Sequence, residues 1–147
     1  MNFHYLSFTR ILTFAILLST GFAGFTGIAN ADPQAQIIAG YAAQAKQIDQ
    51  GFKEFSAKRG EDFFLSSPAT GKPDLPSCTA CHTKNPMNAG RTRAGKEIAP
   101  MAVSRTPDRF MDIKKVEKWF RRNCKSVLGR TCTSLEKGDF LTFMVNQ

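Results

Sequence analysis

Cys78-Thr79-Ala80-Cys81-His82 holds two of the chain's four cysteines and one of its two histidines. Three chemistries use a C-x-x-C pair. A redox dithiol of the thioredoxin type sits after a strand in a βαβ unit, and no such pattern surrounds these residues. Half of a zinc site needs a second ligand pair. The only other cysteines, Cys124 and Cys132, are spaced too widely for a usual zinc knuckle. The third chemistry uses the histidine as well. Two thiols three residues apart on a tight helical turn reach the two vinyl groups of one haem, and the next residue places an imidazole under the iron. Cys78, Cys81 and His82 are therefore read as a c-type haem attachment site. Pro76 and Ser77 are suited to starting the turn.

Export follows from the beginning of the chain. Arg10 precedes a long apolar run from Ile11 to Ile28, closed by Ala29-Asn30-Ala31. A positive start, an apolar middle and an A-x-A end describe a secretory signal peptide over residues 1–31. Gly21, Gly24 and Gly27 interrupt the run and argue against a permanent membrane span. The mature domain is then residues 32–147, one domain in size, periplasmic and not membrane-embedded. His4 leaves with the signal, so His82 is the sole histidine of the mature chain. Bis-histidine ligation within one chain is excluded, and the sixth iron position falls to Met, a weaker side chain, water or nothing.

The organisation is helical. Ile37, Ile38, Tyr41, Ala45 and Ile48 recur at helical spacing and predict a helix over 34–48, with Phe52 and Phe55 continuing its apolar face to about Lys58. Residues 59–77, with Gly60, Pro68, Gly71, Pro73 and Pro76, read mostly as turn and loop. Residues 83–107 read as a long loop wrapping the cofactor. A second helix is predicted from Asp112, an N-cap, to Cys124, with Ile113, Val116, Trp119, Phe120 and Asn123 on one broad face. Thr133-Ser-Leu-Glu136 forms a capping box that opens the last helix. The fold class is all-α, resembling the small class I cytochrome c architecture around one covalent haem. Trp119 is a candidate for packing on the haem.

On the distal side, Met101 and Met111 are the thioethers that a plain His/Met electron carrier would use, while Met144 lies on an apolar stripe and reads as core. Asn123 has two readings: an ordinary helix C-cap, which the pattern alone favours, or a buried amide seeking a partner. Cys124 and Cys132, with Gly129 between them, read as a disulfide in an oxidising compartment, constraining the unfolded chain by about 2.5 kcal/mol.

Arg122-Asn-Cys-Lys-Ser-Val-Leu-Gly-Arg-Thr-Cys132 is similar to the corresponding stretch of the sphaeroides haem protein (SHP) family. So are Gly71-Lys-Pro-Asp-Leu-Pro-Ser-Cys-Thr-Ala-Cys-His82, Thr92–Pro100, Thr106–Phe110, Val116–Trp119 and Ile38–Tyr41. The resemblance covers nearly the whole mature chain. Met101 departs from it, standing where a family member has Leu, and keeps Met ligation in view. The resemblance implies a class I-like cytochrome c fold, Asn123 as the sixth ligand of oxidised iron, and a Cys124–Cys132 bridge. It also implies O2, NO or CO binding on reduction, with electrons taken from a dihaem cytochrome c. A weak-field, neutral amide leaves easily when ferrous iron prefers softer ligands. Whether such binding leads to turnover as an oxidoreductase on O2, NO or peroxide is left open, with a sensor that binds without turnover as a further reading.

The net charge of +8 is unevenly placed: from residue 32 to His82 there are five Lys/Arg and six Asp/Glu, and beyond His82 fourteen against six. Arg91, Arg93 and Lys96 are candidates for pairing with haem propionates. Lys114, Lys115, Lys118, Arg121 and Lys125 are candidates for a basic face that docks an acidic redox partner. Nucleic acid is not an expected partner of an exported haemoprotein.

Overall fold

The computed structural model describes Met1 and residues 32–147. The leader read at residues 1–31 lies, Met1 apart, outside the described residues. Seven elements follow one another: α1 (Pro33–Ile48), α2 (Ala57–Leu65), α3 (Thr79–His82), β1 (Gly90–Arg91), β2 (Glu97–Ile98), α4 (Ile113–Leu128) and α5 (Ser134–Val145). The fold is mostly helical, as the periodicity predicts. No helix among the described residues is long and apolar enough to cross a membrane.

Helix α1 opens with Pro33, whose fixed φ suits the first turn, and buries Gln34, Ile37, Tyr41 and Ala45. Helix α4 starts where expected: the Asp112 side chain accepts from the backbone N–H of Lys114 (2.8 Å) and of Lys115 (3.2 Å). The Thr133–Glu136 capping box of α5 is formed in both directions. Tyr41, Phe64, Leu141 and Met144 are the largest fully buried side chains. Phe140 packs edge-to-face on Phe120 at 5.5 Å and on Phe110 at 6.2 Å, so aromatic rings from α4, α5 and the preceding loop share one core.

Three sequence expectations are corrected. Residues 57–65 form α2, where a loop was expected from residue 59. Gly60 reads as a helix breaker, but α5 needs it: a Cβ there would lie 2.0 Å from the Asp139 carbonyl oxygen. The same Asp139, 3% exposed, fixes the start of α2 from outside. Its carboxylate accepts from Ser56 N–H (2.7 Å) and from Arg59 Nε (2.8 Å) and Nη2 (2.9 Å). Second, the 83–107 loop contains a short antiparallel hairpin that pairs Gly90 with Ile98 and Arg91 with Glu97, turned at Gly95 with φ +82°. Third, α4 does not end at Cys124. It runs to Leu128 and stops at Gly129, whose φ of +71° supplies the left-handed cap.

One polar network ties three helices together. Tyr41 Oη on α1 donates to Glu117 Oε1 on α4 (2.5 Å), and Lys137 Nζ on α5 donates to both Glu117 oxygens (2.8 and 2.9 Å). Burial pushes the Tyr41 phenol above its ordinary range, and the bond to Glu117 adds to this. For Glu117, burial alone would raise the carboxyl. The hydrogen bonds from Lys137 and Tyr41 outweigh it and hold the group below the usual carboxylate range.

Two predictions follow from this packing. In an ordinary helix interior, Gly→Ala stabilises by about 1 kcal/mol. At position 60 the sign reverses, and Gly60→Ala lowers stability by about 1–3 kcal/mol, read from denaturant midpoints at unchanged slope. The depressed Glu117 carboxyl contributes stability at pH above its unfolded value of 4.5, and loses it as pH falls through the lower folded value. Glu117→Gln is therefore less stable than the parent at pH 7, and the difference narrows in acid-unfolding curves as the pH falls below 4.5 and through the lower folded value.

Candidate haem site

The attachment residues share a single turn. His82 N–H donates to the Cys78 carbonyl (3.1 Å), closing one α-helical turn. Cys81 and His82, three and four positions after Cys78, therefore project on its side of the turn. Ser77 is buried and starts the turn, its hydroxyl accepting from Ala80 N–H (3.2 Å). Thr83, at φ +60°, stops it.

The chemistry of these groups fits a covalent haem. Cys78 and Cys81 are free thiols, while the other two cysteines are paired with each other. Burial pushes the Cys78 thiol up to about 11. A redox dithiol needs the opposite shift. Burial, then the nearby Arg109 charge, lowers the His82 pKa and favours the neutral imidazole, the form that binds metal. His82 Nδ1 is buried and has no hydrogen-bond partner, so no protein group fixes the ring's tautomer and the imidazole is not committed to a bond within the chain. Among the described residues no cluster of three or more His, Cys, Asp or Glu is arranged to hold a metal ion by itself. A haem would be held by Cys78, Cys81 and His82.

Two segments brace the turn. Gly90 of β1 lies directly on it, since a Cβ there would come 2.1 Å from the Cys81 carbonyl oxygen. Further along, the Pro86 carbonyl accepts from Met101 N–H (2.9 Å) and Ala102 N–H (3.0 Å), folding residues 99–110 back towards His82. Upstream, Lys72 N–H donates to the Ser126 carbonyl (2.7 Å) and Thr70 Oγ1 to the Leu128 carbonyl (3.0 Å). The end of α4 is thereby joined to the segment that leads into Cys78.

Helix α4 carries Trp119, Asn123 and Cys124. Its buried stripe is Val116, Phe120, Cys124, Val127 and Leu128. The broad face expected from the sequence is narrower: Trp119 is 52% exposed and Asn123 is exposed beside it. At 100° per residue, positions 119 and 123 fall one step off the 116–120–124 line. The helix continues past Asn123 to Leu128, so Asn123 is not a C-cap, and its amide makes no hydrogen bond among the described residues. Arg122 stacks over the Trp119 ring at 5.1 Å. Cys124 and Cys132 have Cα atoms 5.7 Å apart and are joined as a disulfide, linking α4 to the start of α5.

The remaining candidates are dispersed. Arg91 donates to the Gly95 carbonyl within its own hairpin (2.9 Å), and Arg93 is ion-paired with Asp74. Lys96 is exposed. Met101 is buried, Met111 is 46% exposed, and Met144 is fully buried in the core. Lys114, Lys115, Lys118, Arg121 and Lys125 are all exposed along α4. Sequence reasoning missed Arg109. Its Nε and Nη2 donate to the Pro100 and Ala99 carbonyls, each at 2.5 Å, and it sits close enough to His82 to influence it. Nothing in the spacing distinguishes it from the other basic residues beyond His82.

Residues 50–144 match a family model described as a domain of unknown function, DUF1924. The chain is 48% identical over 136 residues to the cytochrome c-type protein SHP of Cereibacter sphaeroides, a match that covers 92% of this chain and all of the relative. It is 31% identical over 140 residues to cytochrome c'' of Methylophilus methylotrophus, covering 95% of this chain and 94% of that one. A solved structure of oxidised SHP, described as an oxygen-binding cytochrome c, superposes with a TM-score of 0.72 at 53% identity, covering 78% of this chain and 96% of that one. A solution structure of cytochrome c'' (TM-score 0.67, 30% identity, 78% of this chain and 93% of that one) addresses the structural basis of haem-ligand detachment. Attachment turn, helical frame and sequence all lead to one place: the chain belongs to the SHP family of c-type cytochromes, whose cofactor is a covalent haem c.

Proposed function

We propose that this protein is an exported, periplasmic monohaem cytochrome in which Asn123 is a displaceable sixth ligand. Cys78 and Cys81 hold the haem, His82 ligates the iron, and reduction opens the site to O2 or NO. The observation that carries the reading is the free amide of Asn123 on a helix that continues beyond it, in a chain 48% identical to SHP. Oxygen binding by SHP and ligand detachment in cytochrome c'' support it from the relatives.

When bound, the haem supplies a one-electron couple and a coordination position for a diatomic ligand. The protein supplies the asymmetry. His82 is fixed by its turn and by the segments packed against it. Asn123 offers only a neutral, weak-field amide, held on a helix that the Tyr41–Glu117–Lys137 network and the Cys124–Cys132 bridge keep in place. Its release requires rotation of a side chain and no movement of the backbone. Trp119, one turn earlier on the same exposed stripe, would pack beside the ligand position. The exposed lysines of α4 suit docking of an acidic electron donor, of which a dihaem cytochrome c is the proposed example. A terminal oxidoreductase acting on O2, NO or peroxide would add turnover to the same ligand chemistry.

The ferrous spectrum with and without CO tests the reading, with a five-coordinate ferrous haem that binds CO rapidly as the expected result. Asn123→Ala changes the oxidised spectrum and raises the affinity of the ferric form for added imidazole about tenfold or more, because a competing ligand has been removed. An unchanged oxidised spectrum and unchanged affinity would remove Asn123 from the iron. A Met–iron charge-transfer band in both oxidation states would establish the plain His/Met electron carrier instead.

A further inference from the structure

Arg109 differs from every other arginine among the described residues. It alone is half-buried, while the others are exposed. Arg59, Arg93 and Arg130 each have a carboxylate within ion-pair distance, on Asp139, Asp74 and Glu136 respectively. Arg109 has none. Asp108, its sequence neighbour, is exposed and forms no ion pair with it. Half-buried, the guanidinium has part of its hydration removed with only the more distant Asp108 charge to offset it, and its bonds to the chain hold it there.

Its position is fixed from several directions. Gln34 of α1 donates through Nε2 to the carbonyls of Pro107 and Arg109 itself, both at 2.9 Å. The Arg109 side chain reaches back to the carbonyls of Ala99 and Pro100, and Thr106 Oγ1 also donates to Pro100 (3.0 Å). That stretch is tied in turn to Pro86, four residues beyond His82. Two of the five guanidinium N–H groups are spent on carbonyls, so three remain to donate. The Arg109 charge is near enough to His82 to act on it, and a haem attached beside His82 brings two propionate carboxylates of its own.

We propose that Arg109 is the counter-ion of a haem propionate, fixing the edge of the porphyrin on the His82 side and raising the reduction potential by neutralising negative charge near the iron. Arg91 and Arg93, the arginines that the sequence puts forward for this role, are already engaged with Gly95 and Asp74. The inference requires only the haem attached at Cys78 and Cys81. It stands whether or not Asn123 is the sixth ligand.

The test uses the full, haem-loaded protein. Arg109→Met lowers the midpoint potential by about 59 mV, a tenfold change in the one-electron equilibrium. Arg109→Lys, which keeps the charge, restores most of that drop, and Arg93→Met has a smaller effect than Arg109→Met. In resonance Raman spectra the propionate bending mode shifts between the parent and Arg109→Lys, as a planar guanidinium is exchanged for an ammonium. The Raman comparison decides the matter even if Arg109→Met fails to mature. An unchanged potential in Arg109→Met, an equal drop in the Lys and Met variants, a larger drop in Arg93→Met, or an unmoved propionate mode in Arg109→Lys each overturns the proposal.

Discussion

The last carbonyls of α4 have no partner within the helix, and the structure satisfies two of them with the strand of chain that leads into the haem-attachment turn. Lys72 N–H meets the Ser126 carbonyl and Thr70 Oγ1 the Leu128 carbonyl. Between these two residues Gly71 allows backbone to lie on backbone, since a Cβ there would come 2.2 Å from the Ser126 oxygen. This junction makes the helix that bears Asn123 and the turn that bears His82 a single mechanical unit. The Cys124–Cys132 bridge extends the unit to α5, and α5 in turn anchors α2 through Asp139.

What was legible in the sequence was what is decided locally. The attachment motif works within one helical turn, so five letters suffice. The Asp112 cap and the Thr133–Glu136 box are contacts between residues at most three apart, and both formed as read. The misreadings occur where distant segments decide. Helix α2 looks like a loop because Gly60 weakens it, and only the Asp139 carbonyl on the facing helix explains why a glycine is required there. Asn123 looks like a helix end because asparagine favours that position, yet the stop is Gly129, set in a left-handed conformation. Arg109 was invisible for the same reason: its burial depends on bonds to Gln34, Ala99 and Pro100, none of which sequence spacing encodes.

Charge on α4 shows how packing converts composition into a surface. Between Lys114 and Lys125 the helix has six basic residues and one acidic residue, Glu117. That acidic residue is turned to Tyr41 and Lys137. Its hydrogen bonds go to Tyr41 and to a basic residue of another helix, with Arg121 acting on it only through its charge, so the exposed side of α4 stays predominantly basic. A face of one sign attracts a partner of the other sign and accelerates encounter more than it adds affinity, which would suit the proposed docking of an acidic electron donor. The same bonds that remove Glu117 from the surface hold α4 against α1 and α5.

A weakly bound sixth ligand places a particular demand on its scaffold. If the backbone carrying it were loose, the ligand would be lost in both oxidation states and the site would be permanently open. If the ligand were strong, it would be lost in neither. The α4 helix is fixed near its beginning by the Asp112 cap, at its middle by Glu117, and at its end by Gly129, the 70–72 segment and the disulfide. With those restraints, the amide at Asn123 is presented at a constant place by a side chain with few torsions. In the proposed reading, the choice between amide and gas would then rest on the electronic preference of the iron. On that proposal, rigid helix and weak donor are two parts of one arrangement, in which the protein would supply position and the oxidation state would supply the switch.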